Sequence, residues 1–299
     1  MSTRHSPFAL ALHGGAGVKI GENYAPVEAH LDALANAGED MLKSGGSSVD
    51  VVETMVREME VSGLYVAGKG SAPNLSGEVE LDASIMDGAT QKAGAVAIIS
   101  NVVSPVAVAR GVMERSSSVM LAGRGANEFA ASEGFESIAD PDSYFVLPVG
   151  VSQDDISVRD MQHGTVGAVA LDMHGNLAAA TSTGGIFGKP AGRVGDTPII
   201  GVGTWADRDV AISCTGTGEH FICAGGALTA ANRFKLSGDS LEQALWKMLD
   251  DVKGLGGDGG AIAVSRTGEI AMLYNSDGMK RAAVSNTLSA MSAVFAPCK

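Results

Sequence analysis

The chain has 299 residues, 45% of them hydrophobic, which is enough for one large core or two small ones. Its 34 acidic against 21 basic residues give a formal charge of −13, which argues against the basic footprint of a nucleic-acid binder. No stretch reaches 18 uninterrupted apolar residues, so no membrane span is expected, and Cys214, Cys223 and Cys298 lack the spacing of a zinc site or a disulfide framework. The short polar N-terminus carries no signal-type apolar run, and a reducing, cytoplasmic setting is the expectation.

Residues 8–12 form an apolar run expected to be a buried strand. It ends in His13-Gly14-Gly15-Ala16-Gly17, which is neither GxGxxG nor a P-loop. That turn either needs unusual dihedrals or presents N–H groups to an anion, and His13 reads as a packed histidine. Helices are expected over 25–42, with Pro26 at the start, and over 48–59, where Val49, Val52, Met55 and Met59 recur at helical spacing. Ser47 or Ser48 is placed to cap the second. Residues 64–77 read as an ordered loop, and Asp82 and Asp87 read as backbone acceptors at turns. A strand over 94–102, a helix over 105–113, a short strand over 119–122 and a helix over 127–133 follow. From 134 to 162 the pattern weakens around Pro141, Pro148 and Gly150, the best candidate for a linker.

The chain then turns on Gly164-Thr165. Residues 165–171 and 177–181 read as a hairpin, with Thr165 as its first residue. A threonine hydroxyl is a poor nucleophile without a base, but a cut before Thr165 would create one in its own α-amine, whose pKa is roughly 8. A Gly-Thr pair at a strand start is ordinary by itself, so the case rests on the remainder. Arg193 and Asp196 stand three apart in a glycine-bounded loop. They suit a substrate with a carboxylate and an ammonium, or else form a local salt bridge. A strand over 210–214 runs into Thr215-Gly216-Thr217-Gly218-Glu219, whose hydroxyls and amides can meet developing negative charge. Helices over 225–234 and 240–255 precede a hairpin of 261–264 with 269–274, turned at Thr267-Gly268.

Seven segments in register now carry a resemblance. They are Leu12 with the His13-to-Gly17 turn, Asp82-Ala83-Ser84-Ile85-Met86-Asp87-Gly88, and Gly164-Thr165-Val166-Gly167-Ala168-Val169-Ala170. Ser182-Thr183-Gly184-Gly185, the stretch 192–198, and Cys214 through Glu219 continue the series, which Asn275-Ser276-Asp277-Gly278-Met279 closes. The chain resembles the plant-type L-asparaginase and isoaspartyl peptidase family of N-terminal-nucleophile threonine hydrolases over most of its length.

That resemblance implies an α+β fold, a four-layer αββα sandwich in one structural domain. It implies a precursor cut between Gly164 and Thr165 into an α subunit, residues 1–164 with a linker at about 141–164, and a β subunit, residues 165–299. Thr165 would be the nucleophile, Thr183 its assistant, and Thr215 with Gly216 the oxyanion hole; Arg193, Asp196 and Gly218 would bind substrate. No catalytic cofactor is implied. A structural sodium ion would be held by the backbone carbonyls of Met59, Glu60, Ser62, Tyr65, Ala67 and Lys69. The expected assembly is a dimer of αβ units, and the expected substrates are β-aspartyl dipeptides and L-asparagine, with no nucleic-acid or membrane partner. In the sodium loop the family usually reads Phe-Asn-Ala-Gly, where this chain reads Tyr65-Val66-Ala67-Gly68. Two other readings remain: a glycosylasparaginase-type amidohydrolase, which shares the Gly-Arg-Val-Gly-Asp pattern, and a non-enzymatic binder of an aspartyl metabolite.

Overall fold

The computed structural model describes residues 7–152 and 164–295. Its strands are β1 (Ala9–His13), β2 (Leu81–Asp87), β3 (Ala93–Ile99), β4 (Met120–Ala122), β5 (Val166–Leu171), β6 (Leu177–Thr183), β7 (Thr204–Ala206), β8 (Val210–Gly216), β9 (Gly259–Ser265), β10 (Ile270–Tyr274), β11 (Arg281–Ser285) and β12 (Met291–Ala293). Its helices are α1 (Ala25–Lys43), α2 (Ser48–Ser62), α3 (Pro105–Arg115), α4 (Gly123–Ser132), α5 (Pro141–Tyr144), α6 (Gly218–Ala224), α7 (Gly226–Leu236) and α8 (Leu241–Gly254). The acidic part of the expected linker, 153–163, lies outside the described residues.

Side chains alternate across a strand, and here both faces are covered. Leu10, Leu12, Val166, Ala168 and Ala170 face one way and pack with Leu31, Val52 and Met55 of α1 and α2. Their neighbours Ala9, Ala11, Val169 and Leu171 face the other way and meet Ala211, Ile262 and Val264. Those three belong to a second sheet, whose far face places Ile212, Cys214, Ala261 and Ala263 on Leu241, Leu245, Met248 and Val252 of α8. The larger sheet runs β12-β11-β1-β5-β6-β2-β3-β4 and the smaller β10-β9-β8-β7. Helices, sheet, sheet and helices therefore stack as the four-layer αββα sandwich that the resemblance implies. Ser47 caps α2 by accepting the Asp50 N–H at 3.2 Å, and Ser240 with Gln243 forms a capping box on α8.

Several elements depart from the sequence reading. Asp82 is not at a turn: it is buried inside β2, and its Oδ1 accepts the Ile98 N–H at 2.8 Å where the β2–β3 ladder shifts register. Asp87 does cap a turn, accepting the Ala89 N–H. Helix α4 starts four residues earlier than expected. Strands β7, β11 and β12 and helix α6 carry no readable period. Two of them have three residues each, and β11 opens on a charged residue. That residue, Arg281, is buried because its Nη1 donates to the Met279 and Val294 carbonyls at 2.8 and 3.0 Å and its guanidinium sits over the Tyr274 ring.

Candidate active site

Thr165 stands one residue before β5 rather than in it. Three strand ends surround it. β5 pairs with β1 and β6, in a register that sets His13 beside Gly167 and Val166 beside Ser182. Thr183, the last residue of β6, therefore reaches the bond before Thr165. Its hydroxyl donates to the Gly164 carbonyl at 2.6 Å and accepts the Gly185 N–H at 2.9 Å. A hydroxyl has one proton to give, so the Gly185 contact commits that proton to the Gly164 carbonyl.

His13 holds Thr165 from the other side. Its Nδ1 lies 3.1 Å from the Thr165 carbonyl, which can only accept, so the ring proton sits on Nδ1. Burial lowers its pKa to about 3, so the ring is neutral and Nε2 accepts from the Ser213 hydroxyl at 2.8 Å. From Ser213 a chain of buried hydroxyls crosses between the sheets. Thr181 lies 2.7 Å from Ser213, Thr204 2.5 Å from Thr181, and Ser84 2.7 Å from Thr204 and 2.6 Å from the Thr197 carbonyl. The backbone of Thr165 is thus tied to the loop that carries Asp196.

That loop is anchored from below. Gly192 donates its N–H to the Glu80 carboxylate at 3.0 Å, and buried Lys189 donates to the Glu80 carbonyl at 2.9 Å. Desolvation lowers the Lys189 pKa, with Asp82 and Glu80 opposing it. Arg193 does not pair with Asp196. Its Nε and Nη2 bind both oxygens of Glu219 at 2.8 and 2.7 Å, and this hydrogen-bonded pairing lowers the Glu219 pKa. Asp196 is buried, and a Cβ on Gly218 would come within 2.9 Å of its Oδ1. Gly218 therefore backs the carboxylate by being small.

One cavity is lined by Gly164, Thr165, Thr183, Arg193, Asp196 and Gly216, so the structure brings six of the expected site residues together. Thr215 and Gly218 stand just outside its lining. The Thr215 hydroxyl accepts the Ala16 N–H at 3.2 Å, which ties the glycine-rich turn after β1 to the end of β8. The cavity holds about 10 Å³, roughly the least that admits one water. A larger cavity of about 810 Å³, lined by Ser71, Asn101 and Asn127 among others, contains none of those six residues.

The six residues of the expected sodium loop run from the end of α2 into a 3-10 turn at Gly68–Gly70. The Met59 carbonyl accepts from the Ser62 hydroxyl, Ala67 from Gly70 N–H and Lys69 from Val146 N–H. Neutral carbonyl oxygens in a tight loop fit a hard cation. No cluster of His, Cys, Asp and Glu that could hold a metal occurs among the described residues. Glu60 points its side chain elsewhere. It accepts the Val106 N–H at 3.0 Å and the Ser104 hydroxyl at 2.5 Å at the start of α3, and burial raises its pKa to about 7.

Sequence reasoning missed the parts that act through others. Glu219 lies within the 215–219 motif, whereas Glu80 and Lys189 lie outside every motif that the sequence offers. The signal for Lys189 is a lone charge in an otherwise small, apolar stretch; Glu80, between Glu78 and Asp82, carries no such signal.

Comparison with known proteins agrees with this geometry. The asparaginase family profile, Asparaginase_2, matches residues 6–149 and 145–293. The isoaspartyl peptidase of Escherichia coli is 41% identical over 295 residues, covering 91% of each chain. A probable isoaspartyl peptidase/L-asparaginase of Arabidopsis thaliana is 35% identical over 92% of this chain and 94% of its own. The human isoaspartyl peptidase/L-asparaginase is 40% identical over 93% of both. Matched on both sides of the Gly164–Thr165 bond, the chain belongs to the asparaginase family, Asparaginase_2.

Proposed function

We propose that this enzyme is an isoaspartyl peptidase and L-asparaginase that matures by cutting itself between Gly164 and Thr165. The observation that carries the reading is the Thr183 hydroxyl on the Gly164 carbonyl, in a cavity shared with Thr165, Arg193 and Asp196. In the cut, the Thr165 oxygen adds to that carbonyl, the C–N bond breaks, and the hydroxyl proton ends on the Thr165 nitrogen. Water then hydrolyses the ester, leaving a carboxylate on Gly164 and a free amine and hydroxyl on Thr165. In turnover the amine takes the Thr165 hydroxyl proton, the oxygen attacks the β-carbonyl of the substrate, and Thr215 with the Gly216 N–H receives the oxyanion. The amine returns its proton to the leaving nitrogen, and water releases L-aspartate.

Arg193 holds the α-carboxylate and Asp196 the α-ammonium. The names of the relatives favour this reading over a glycosylasparaginase. The same reading includes a dimer of αβ units, a cytoplasmic setting and a structural sodium ion on the Met59–Lys69 carbonyls. The test is steady-state kinetics on L-asparagine and β-aspartyl dipeptides against their N-acetyl and α-amide analogues. Either block is expected to lower kcat/KM by roughly 10²-fold or more, because it strands a charged partner without its mate. Full activity on the N-acetylated substrate removes Asp196 from the reading.

A further inference from the structure

In the uncut chain Gly164, the acyl half of the scissile bond, occupies the space beside the Thr165 nitrogen. Gly164 packs on Val66 so closely that a Cβ on Gly164 would lie 2.2 Å from the Val66 Cβ. Val66 is buried with Ala72 and Phe187 in a small apolar cluster, with Val151 against it. Gly184 donates its N–H to the Val66 carbonyl at 3.0 Å, which fixes Val66 beside the end of β6. Nothing polar on the Val66 side chain faces the scissile bond.

Resting on the proposed amine mechanism, the proton path decides the rest. The Thr165 amine must hand its proton to the departing nitrogen, so that nitrogen comes within hydrogen-bond reach of Thr165 N, roughly 2.6–3.2 Å. In the uncut chain the atoms on that side of Thr165 N belong to Gly164, and they lie on Val66. We propose that Val66 is the apolar wall of the leaving-group subsite and selects β-aspartyl dipeptides with an aliphatic residue after the scissile bond. Bond changes are those of turnover: the acyl C–N bond breaks, the acyl C–O bond to Thr165 forms, and the amine returns the hydroxyl proton to the leaving amino acid. Ammonia from L-asparagine carries no carbon to touch Val66 and gains nothing from it.

The experiment measures kcat/KM for L-asparagine, isoAsp-Gly, isoAsp-Ala and isoAsp-Leu on mature enzyme, with the cut verified by mass. In the wild type the value is expected to rise about tenfold from isoAsp-Gly to isoAsp-Leu, the scale of a few methylene contacts. Val66→Thr keeps the shape and adds a hydroxyl, and Val66→Ala removes the wall; each is expected to cut the rise to about twofold or less. If neither variant matures, the wild-type series decides alone. A flat wild-type series, or a rise that survives in mature Val66→Thr and Val66→Ala, overturns the subsite and leaves aspartyl hydrolysis standing. Wild-type hydrolysis by uncut chain overturns the amine mechanism and the subsite with it.

Discussion

Replacing Thr165 with alanine is expected to leave one 299-residue chain with no measurable hydrolysis of β-aspartyl dipeptides. The substitution removes the only hydroxyl on the residue that follows the scissile carbonyl and, with it, the acceptor of the acyl group. In the proposed mechanism both the cut and the later turnover need that oxygen, so the effect is a loss rather than a reduction. Denaturing mass spectrometry should find two fragments in wild type, parted between Gly164 and Thr165, and a single mass in the variant. Thr165→Ala should still fold: the residue precedes β5, and its backbone carbonyl keeps the His13 bond. A variant that is still cut at Gly164 would assign the chemistry to another group.

The second large effect concerns Thr183. Its hydroxyl is the donor on the Gly164 carbonyl, where the proposed attack by Thr165 would place negative charge. Thr183→Val keeps the β-branched shape that suits the end of β6 but removes the donor. Self-cleavage is expected to slow by roughly 10²–10³-fold, the usual result of deleting one preorganised donor. The Gly185 N–H also loses its acceptor, at a cost of about 1–3 kcal/mol if it stays buried. Thr183→Ser restores both bonds and should restore most of the rate. Time courses of fragment appearance after purification of the uncut chain read this directly, and an unchanged rate in Thr183→Val removes Thr183 from the cleavage step.

Much of this was legible from residues. The helices declared themselves through period and caps, as in α2 with Ser47 and the Val49, Val52, Met55, Met59 spacing. The β5–β6 hairpin followed from an apolar run broken by a polar-glycine turn. What the sequence hid was long-range pairing. Nothing local to Arg193 says that Glu219 binds both of its nitrogens, and nothing local to Asp82 says that its acceptor serves Ile98 on the next strand. Sequence carries no reading at β11, where burial of Arg281 depends on two carbonyls and a ring brought in by folding. Packing against Val66 likewise became visible only when Gly164 was set beside it.

The hydroxyl chain between the sheets obeys a counting rule. From the Thr165 carbonyl through His13, Ser213, Thr181, Thr204 and Ser84 to the Thr197 carbonyl there are six contacts, and both ends only accept. A neutral His13 and four hydroxyls supply five protons, so at least one contact must hold facing lone pairs, and the Gly203 carbonyl, 3.3 Å from the Thr181 hydroxyl, competes for the same protons. An imidazolium would fill the gap, but burial holds His13 neutral. Deleting the Thr204 hydroxyl removes two contacts and one proton, which leaves four of each along the path, with the Gly203 carbonyl as an alternative acceptor for Thr181. Thr204→Val is therefore expected to melt within about 1 kcal/mol of wild type, where stranding a buried polar partner would cost about 1–3 kcal/mol. The line of hydroxyls behaves like a row of ice molecules carrying one defect, and removing one member lets the row order.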